Sequence, residues 1–412
     1  MPMRWRRMRR RLLLFLTVMG PGIITASVDQ DAGGITTYSL AGAQFGYGLL
    51  WSLFFITIAL AIVQEMGSRM GVVTGKGLAE LIRERFGVRI TLGVMLVLVM
   101  ANLANTVSEF AGIAASLEIF GWSRYAAVPL AALLVGWLVV KGTYRLVERI
   151  FLGASLFYAV YMISAFLAGP DWPTVLRQTV RPNFHIERNY LAMLITLVGT
   201  TIAPWMQFYI QASIVDKGVR RKEYGYVKLD VWIGSVVASA VAFFIIVACG
   251  ATLHAHGVRI ETAEQAAMAL EPFAGRYATL LFALGLLNAS LFSAAIVPLS
   301  TAYAVSEGLG WETGVDRTVR EAPGFFSIYL TMVAASALLI LWPKAPLITI
   351  MYLSQTLNGI LLPFVLIFML LLINDRAIMG VRVNSPVYNL VAWGTAFLMV
   401  VLTLLLIVTS LV

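Results

Sequence analysis

Two apolar runs, each about twenty residues long and so of membrane-spanning length, are interrupted at mid-depth by polar and helix-breaking residues. The first break reads Ser27-Val28-Asp29-Gln30-Asp31-Ala32-Gly33-Gly34, and the second Gly199-Thr200-Thr201-Ile202-Ala203-Pro204-Trp205. Lipid offers no hydrogen bonds, so irregular backbone at that depth must line a cavity or be buried in protein. Two carboxylates beside such a break, with no Lys or Arg near them in the chain, point to a cation site. The second break falls five apolar spans after the first, the spacing expected of a transporter built from two inverted repeats.

Composition agrees with a membrane protein. Of 412 residues, 60% are hydrophobic and only 12% are charged. We place about eleven spans: 12–43 (broken), 46–70, 90–119, 124–141, 146–168, 189–216 (broken), 226–253, 276–306, 325–343, 346–374 and 386–412. The expectation is a single all-α transmembrane domain. Spans 1–5 (12–168) and spans 6–10 (189–374) form two repeats, and 386–412 is an extra span. The segment 77–86 has the spacing of a short amphipathic surface helix, and 264–271 resembles another; 169–188 and 254–275 are the longest outer connections.

The net charge of +9 does not imply nucleic acid. With the N-terminus inside, the inner segments carry about 23 of the 30 Lys and Arg, which is the positive-inside bias of a cell-membrane protein. This topology leaves the N-terminus cytoplasmic and the C-terminus extracellular. The basic stretch Arg4 to Arg11 before Leu12-Leu13-Leu14-Phe15-Leu16 mimics a signal peptide. No small-residue cleavage pattern follows, so it is read as the start of the first helix. Cys249 is the single cysteine, and His185, His254 and His256 fall in predicted loops. Neither a thiolate cluster nor an imidazole cage is expected within the spans. There is no nucleophile with an adjacent His, no phosphate-binding glycine loop and no zinc motif, so an enzyme is not expected. No cofactor and no obligate protein partner is evident; the expected contacts are a metal-ion substrate and the bilayer.

A helix broken at mid-membrane offers free carbonyls on one side and free amides on the other. Asp31 is read as the principal anionic ligand, with carbonyls near Val28 and Thr200 facing the ion. Pro204 cannot donate, which frees a carbonyl near Thr200, and Gly33 and Gly34 supply backbone freedom for the unwinding.

These residues carry a resemblance. Gly20-Pro21-Gly22 through Asp31-Ala32-Gly33-Gly34 to Ala41-Gly42-Ala43-Gln44-Phe45-Gly46-Tyr47 and Leu50-Trp51 resembles the start of the NRAMP metal-transporter family. Thr74-Gly75-Lys76-Gly77-Leu78-Ala79-Glu80-Leu81, Glu109-Phe110-Ala111-Gly112, Ser354-Gln355 and Leu362-Pro363-Phe364 continue it over most of the chain. The resemblance implies the LeuT-like five-plus-five inverted-repeat fold with helices 1 and 6 broken. The departures are specific. The family's Asp-Pro-Gly-Asn reads Asp31-Ala32-Gly33-Gly34, its Met-Pro-His reads Ala203-Pro204-Trp205, and the Asp three residues before its span 3 Glu is Thr106. Span 9, from Phe325 to Trp342, lacks the Arg that many members carry. This pattern is similar to the divergent branch of NRAMP-related magnesium transporters.

Loss of a thioether favours a hard cation. Magnesium keeps several waters, and Gly34 and Ala203 are smaller than the residues they replace, so a wider chamber is expected. Asp29 adds negative potential, or else caps a half-helix. Trp205 is read as a wall of the chamber, and Gln355 as holding a shell water or bonding across helices. Close packing is the competing reading for Gly34 and Ala203. Proton coupling is expected to be lost, with Glu65, Glu109 and Asp230 the remaining acids in the spans. Inward movement of a divalent ion needs no protons: a potential of 100 mV contributes about 4.6 kcal/mol, roughly a thousandfold gradient. The alternatives are a proton-coupled Mn2+/Fe2+ importer and, less well matched to two carboxylates, a carrier of an organic solute.

Overall fold

The computed structural model describes residues 22, 25, 28–141, 153 and 155–411. The basic N-terminal stretch, most of the first half of span 1 including Ser27, and the start of span 5 lie outside the described residues.

The described residues are helical, with no strand among them. The second half of span 1 is α1 (Ala32–Phe45), followed by α2 (Leu50–Thr74), α3 (Leu78–Phe86), α4 (Val88–Ile119) and α5 (Arg124–Val140). Next come α6 (Ala159–Leu167), α7 (Trp172–Val180), and the two halves of span 6, α8 (Arg188–Thr201) and α9 (Pro204–Asp216). The remainder is α10 (Tyr224–Cys249), α11 (Ala278–Leu309), α12 (Pro323–Ile340), α13 (Leu347–Ile373) and α14 (Pro386–Leu411). Among the described residues, eight helical segments are long and apolar enough to cross a bilayer, and Arg124–Val140 is a shorter apolar helix. The fold is a broken-helix, inverted-repeat membrane architecture.

Most of these helices are apolar all round, as spans must be when protein covers one face and lipid the other. The short α3 is the exception. It buries Leu78, Ala79, Leu81 and Ile82 and carries Arg83 and Arg85 in its last turn, the amphipathic surface helix that its spacing predicts. Gly75 ends α2 in the left-handed conformation, φ 69°, and its amide bonds back to the Gly71 carbonyl; this is a position that glycine fills without steric cost.

One element departs from expectation. The connection 169–188, read as a loop, contains α7, which starts with Pro in its first turn and packs on α2. At nine residues with one buried side chain, Val175, it is too short to register as a hydrophobic period.

Packing divides the helices into two groups. α10 lies along both α1 and α2, and α9 lies against α2. α4 packs on α11, α12 and α13. The two breaks sit where these groups meet, α1 touching α4 and α13, and α8 touching α13.

Candidate functional site

Val28 ends a helical turn, Asp29, Gln30 and Asp31 are not helical, and the chain re-enters a helix at Ala32. Asp31 caps that helix: its Oδ1 accepts the Gly34 amide at 2.6 Å, and its carbonyl accepts the Ile35 amide at 2.9 Å. The N-cap role explains why Asp tolerates this place, since a carboxylate there satisfies an otherwise orphaned N–H. In span 6 the break is Ile202-Ala203. Ala203 is extended (φ −68°, ψ 143°), and Pro204 opens α9 at a position where its missing N–H costs nothing.

The unwinding is therefore carried by Asp29 to Asp31, and the glycines play a different part from the one expected. Gly33 and Gly34 lie in the first turn of α1, and neither has positive φ. Their smallness permits close approach. A Cβ on Gly33 would run into the Gln355 amide, and one on Gly34 into the Asp29 carbonyl oxygen, with Thr200 Oγ1 at 3.4 Å. The expected widening at Gly34 is thus not seen: that space is filled by the backbone of the break itself.

Asp31 and Asp29 are 3% and 2% exposed. The Asp31 carboxyl lies close to the Glu109 carboxyl and the Gln355 amide. Glu109 Oε2 also accepts the Ala32 amide at 3.2 Å. Gln355 Nε2 donates to Asn105 Oδ1 at 2.8 Å. Asn358 Nδ2 donates to Gln355 Oε1 at 2.9 Å and to Asn105 Oδ1 at 3.2 Å. Asp29 accepts Gln30 Nε2 at 3.1 Å and lies near Tyr38, whose hydroxyl is 2.9 Å from Thr201 Oγ1. Tyr38 so ties the two breaks together. Among the described residues no Lys or Arg pairs with Asp29, Asp31 or Glu109. Three buried carboxyls without a basic partner demand a proton or a cation.

The remaining candidates are placed as follows. The Val28 carbonyl accepts Ser293 Oγ at 3.4 Å, and the Trp205 carbonyl accepts Ser300 Oγ at 2.9 Å. Both serines stand on α11. Thr200 Oγ1 and Trp205 Nε1 are buried without a recorded hydrogen-bond partner. The Trp205 ring is fully buried and meets Tyr209 edge-on, its centroid 6.1 Å away. Ala203 is buried, and its carbonyl accepts the Met206 amide at 3.2 Å. Asp31, Asp29, Gly34, Thr200 and Gln355 thus converge, whereas the Val28 and Trp205 carbonyls are held by α11 and the Ala203 carbonyl by the first turn of α9.

The other acids in the spans have structural work. Glu65 pairs with Arg69 at 3.3 Å and accepts the Tyr224 hydroxyl. Arg69 extends to the carbonyls of Arg382 and Val383 and to Asn384. Asp230 accepts the Gly22 amide at 2.7 Å. His254 lies far along α1, its Nδ1 3.0 Å from the Ala43 carbonyl.

Sequence reasoning missed Asn105, Asn358, Tyr38, Ser293 and Ser300, and it undervalued Glu109. A usable signal existed: Asn105 and Glu109 stand four apart, and Gln355 and Asn358 three apart. Each pair therefore puts polar groups on one face of an apolar helix.

Comparison with known proteins bears on the family and the fold. Residues 22–409 match the family described as Natural resistance-associated macrophage protein-like, Nramp. The divalent metal cation transporter MntH of Bacillus subtilis is 26% identical over 415 residues, covering 97% of this chain and 93% of that protein. MntH of Erwinia tasmaniensis is 30% identical over 301 residues, 71% of this chain and 72% of that one. A crystal structure of the Eremococcus coleocola manganese transporter superposes with a TM-score of 0.73 at 21% identity, covering 96% of this chain and 86% of that one. Mhp1, a nucleobase-cation-symport-1 family transporter, shares the fold more distantly, with a TM-score of 0.57 at 15% identity, covering 95% and 91%. The chain belongs to the Nramp family.

Proposed function

We propose that this protein is a multi-pass cell-membrane carrier, not an enzyme, that admits a divalent metal ion by alternating access. On this reading its preferred cargo is Mg2+, with Mn2+ accepted, and the ion is carried partly hydrated, down its electrochemical gradient and without protons. This is the magnesium-transporting branch that the departures from the NRAMP motifs resemble. The N-terminus is cytoplasmic and the C-terminus extracellular, as the charge bias of the loops favours.

One observation carries the reading. Asp29 and Asp31 stand at an unwound segment among oxygen and amide groups, while Ala203 and Trp205 occupy the places where the family motif has a thioether and an imidazole. Carboxylate, carbonyl and water suit magnesium, and sulfur suits softer metals. Asp31 would hold the ion, Asp29 would add negative potential, and the Val28, Thr200 and Ala203 carbonyls and the Gln355 amide would bind it or its waters. Gly34 and Trp205 would form the walls. Calcium would be disfavoured because it wants more ligands at longer distances.

Proteoliposomes loaded with a magnesium-sensitive dye test this. A rise in internal Mg2+ on adding the ion outside is expected. A flat trace beside a rapid manganese signal would refute the magnesium assignment.

A second reading rests on the contact between Asp31 and Glu109. Two buried carboxyls this close without a basic partner resist carrying two negative charges together, and an arriving cation would relieve that. That favours a proton-coupled importer of Mn2+ or Fe2+; the MntH relatives are named divalent metal cation transporters, and the Eremococcus coleocola protein a manganese transporter. Internal acidification accompanying metal uptake, without an ionophore, supports this reading over ours.

A further inference from the structure

At the basic side of the molecule, where α13 ends and α14 begins, a cavity of about 450 Å3 opens beside the last turn of α3. Its charge is unbalanced. Arg85 Nε donates to Asp375 Oδ2 at 2.8 Å, and Asp375 also accepts the Ala377 amide at 2.8 Å. The one carboxylate on the wall is therefore already engaged twice. Arg376, exposed and also on the wall, pairs with no carboxylate among the described residues. The floor is rigid. Asn374 and Asn389 exchange reciprocal amide hydrogen bonds, both 2.8 Å, joining the end of α13 to the start of α14.

The opposite wall is apolar. Leu371 and Trp393 are about two-fifths exposed. From Leu371 an exposed row continues along α13 through Ile367 and Phe364, and from Trp393 another runs along α14 through Phe397 and Leu404. Residues at these spacings share one helix face. The cavity thus offers spare guanidinium donors at one end and leads onto apolar stripes at the other, with a tryptophan at the boundary where interfacial tryptophans collect.

We propose that this cavity binds the phosphodiester headgroup of an anionic membrane lipid, with the acyl chains lying along the α13 and α14 stripes. The guanidinium fork matches phosphate oxygens, and basic pockets between spans are suited to such headgroups. Free phosphate offers the same oxygens to Arg85 and Arg376 but has nothing to lay against Leu371, Trp393 and the rows beyond them. The apolar stripes favour lipid.

The test is lipid retention by the purified full-length protein, read by native mass spectrometry with phosphatidylglycerol and phosphatidylcholine offered in equal amounts. Phosphatidylglycerol should be preferred, and Arg376→Gln, which breaks no ion pair, should lower that preference about fivefold, the effect of one basic group near an anionic surface. Arg89→Gln removes an exposed charge outside the cavity and should change nothing. Melting temperature, followed in parallel, should be the same in both variants. Equal preference in Arg376→Gln and the unmodified protein, or an equal loss in Arg89→Gln, overturns the site. Displacement of phosphatidylglycerol by inorganic phosphate at matched concentration overturns the lipid assignment in favour of a free-phosphate site.

Discussion

Replacing Gly34 by alanine adds one carbon at the tightest point of the first break. That carbon would lie under 3.0 Å from the Asp29 carbonyl oxygen, 3.3 Å from Asp31 Oδ1 and 3.4 Å from Thr200 Oγ1. The nearest neighbour is backbone, so it cannot swing aside as a side chain would. Overpacking of this kind costs about 1–3 kcal/mol. Alanine recovers at most about 1 kcal/mol of helix propensity, and less in a first turn. The clash wins by roughly 1–2 kcal/mol, a factor of about 5–30 in population. The ratio of the arrangement that holds Asp29 and Asp31 side by side to its alternatives should therefore fall by that factor, and the initial rate of metal uptake into proteoliposomes should fall by up to as much. Gly93→Ala in α4 is the matched control, because its added carbon meets nothing within 4 Å. A Gly34→Ala protein with unchanged rate and melting temperature would refute the close-packing argument. The same clash bears on exchanging Gly34 for asparagine and Ala203 for methionine to draw the protein toward manganese: the asparagine can enter only if the Asp29 carbonyl moves.

Asp31→Asn keeps an oxygen to cap Gly34, and Asn caps about as well as Asp, so uptake should vanish at unchanged melting temperature; normal uptake would place the site elsewhere. Asp31→Ala should lose uptake and also about 0.5–2 kcal/mol of cap, visible as a lower melting temperature. Glu109→Gln still offers an acceptor to the Ala32 amide and should slow Mg2+ uptake less than about tenfold, whereas a group that passes protons would cost about a hundredfold or more. Arg69→Ala leaves the buried Glu65 with Tyr224 as its only side-chain partner among the described residues, and should cost about 3–5 kcal/mol; Arg69→Met with Glu65→Gln should regain most of the melting temperature, and failure to do so would mean that the contacts to Arg382, Val383 and Asn384 dominate.

The spans were legible because a bilayer fixes their length: the stretch read as 226–253 is observed as Tyr224–Cys249, and 90–119 as Val88–Ile119. The breaks were legible because Asp29 and Asp31 have no place inside a lipid-facing helix, and because Pro204 follows polar residues and suits the first turn of a helix. The contacts that finish the site were not. Gln355 meets Asn105 across 250 positions, and Glu109 meets Ala32 across 77. Local periodicity says nothing about which face of one span meets which face of another. Gly33 and Gly34 were misread for a related reason. Glycine signals either unusual φ or close approach, and only the position of Gln355 and of the Asp29 carbonyl decides between them.

The two hydroxyls of α11 have a consequence for how this chain can vary. Ser293 and Ser300 grip the carbonyls of Val28 and Trp205 from one rod, seven residues apart and so on nearly the same side of it. One inserted or deleted residue between them would swing one anchor about 100° around the axis and release one of the two loosened strands. The stretch of eight residues is buried throughout, so its length is locked by the two anchors and its side chains by the packing around them.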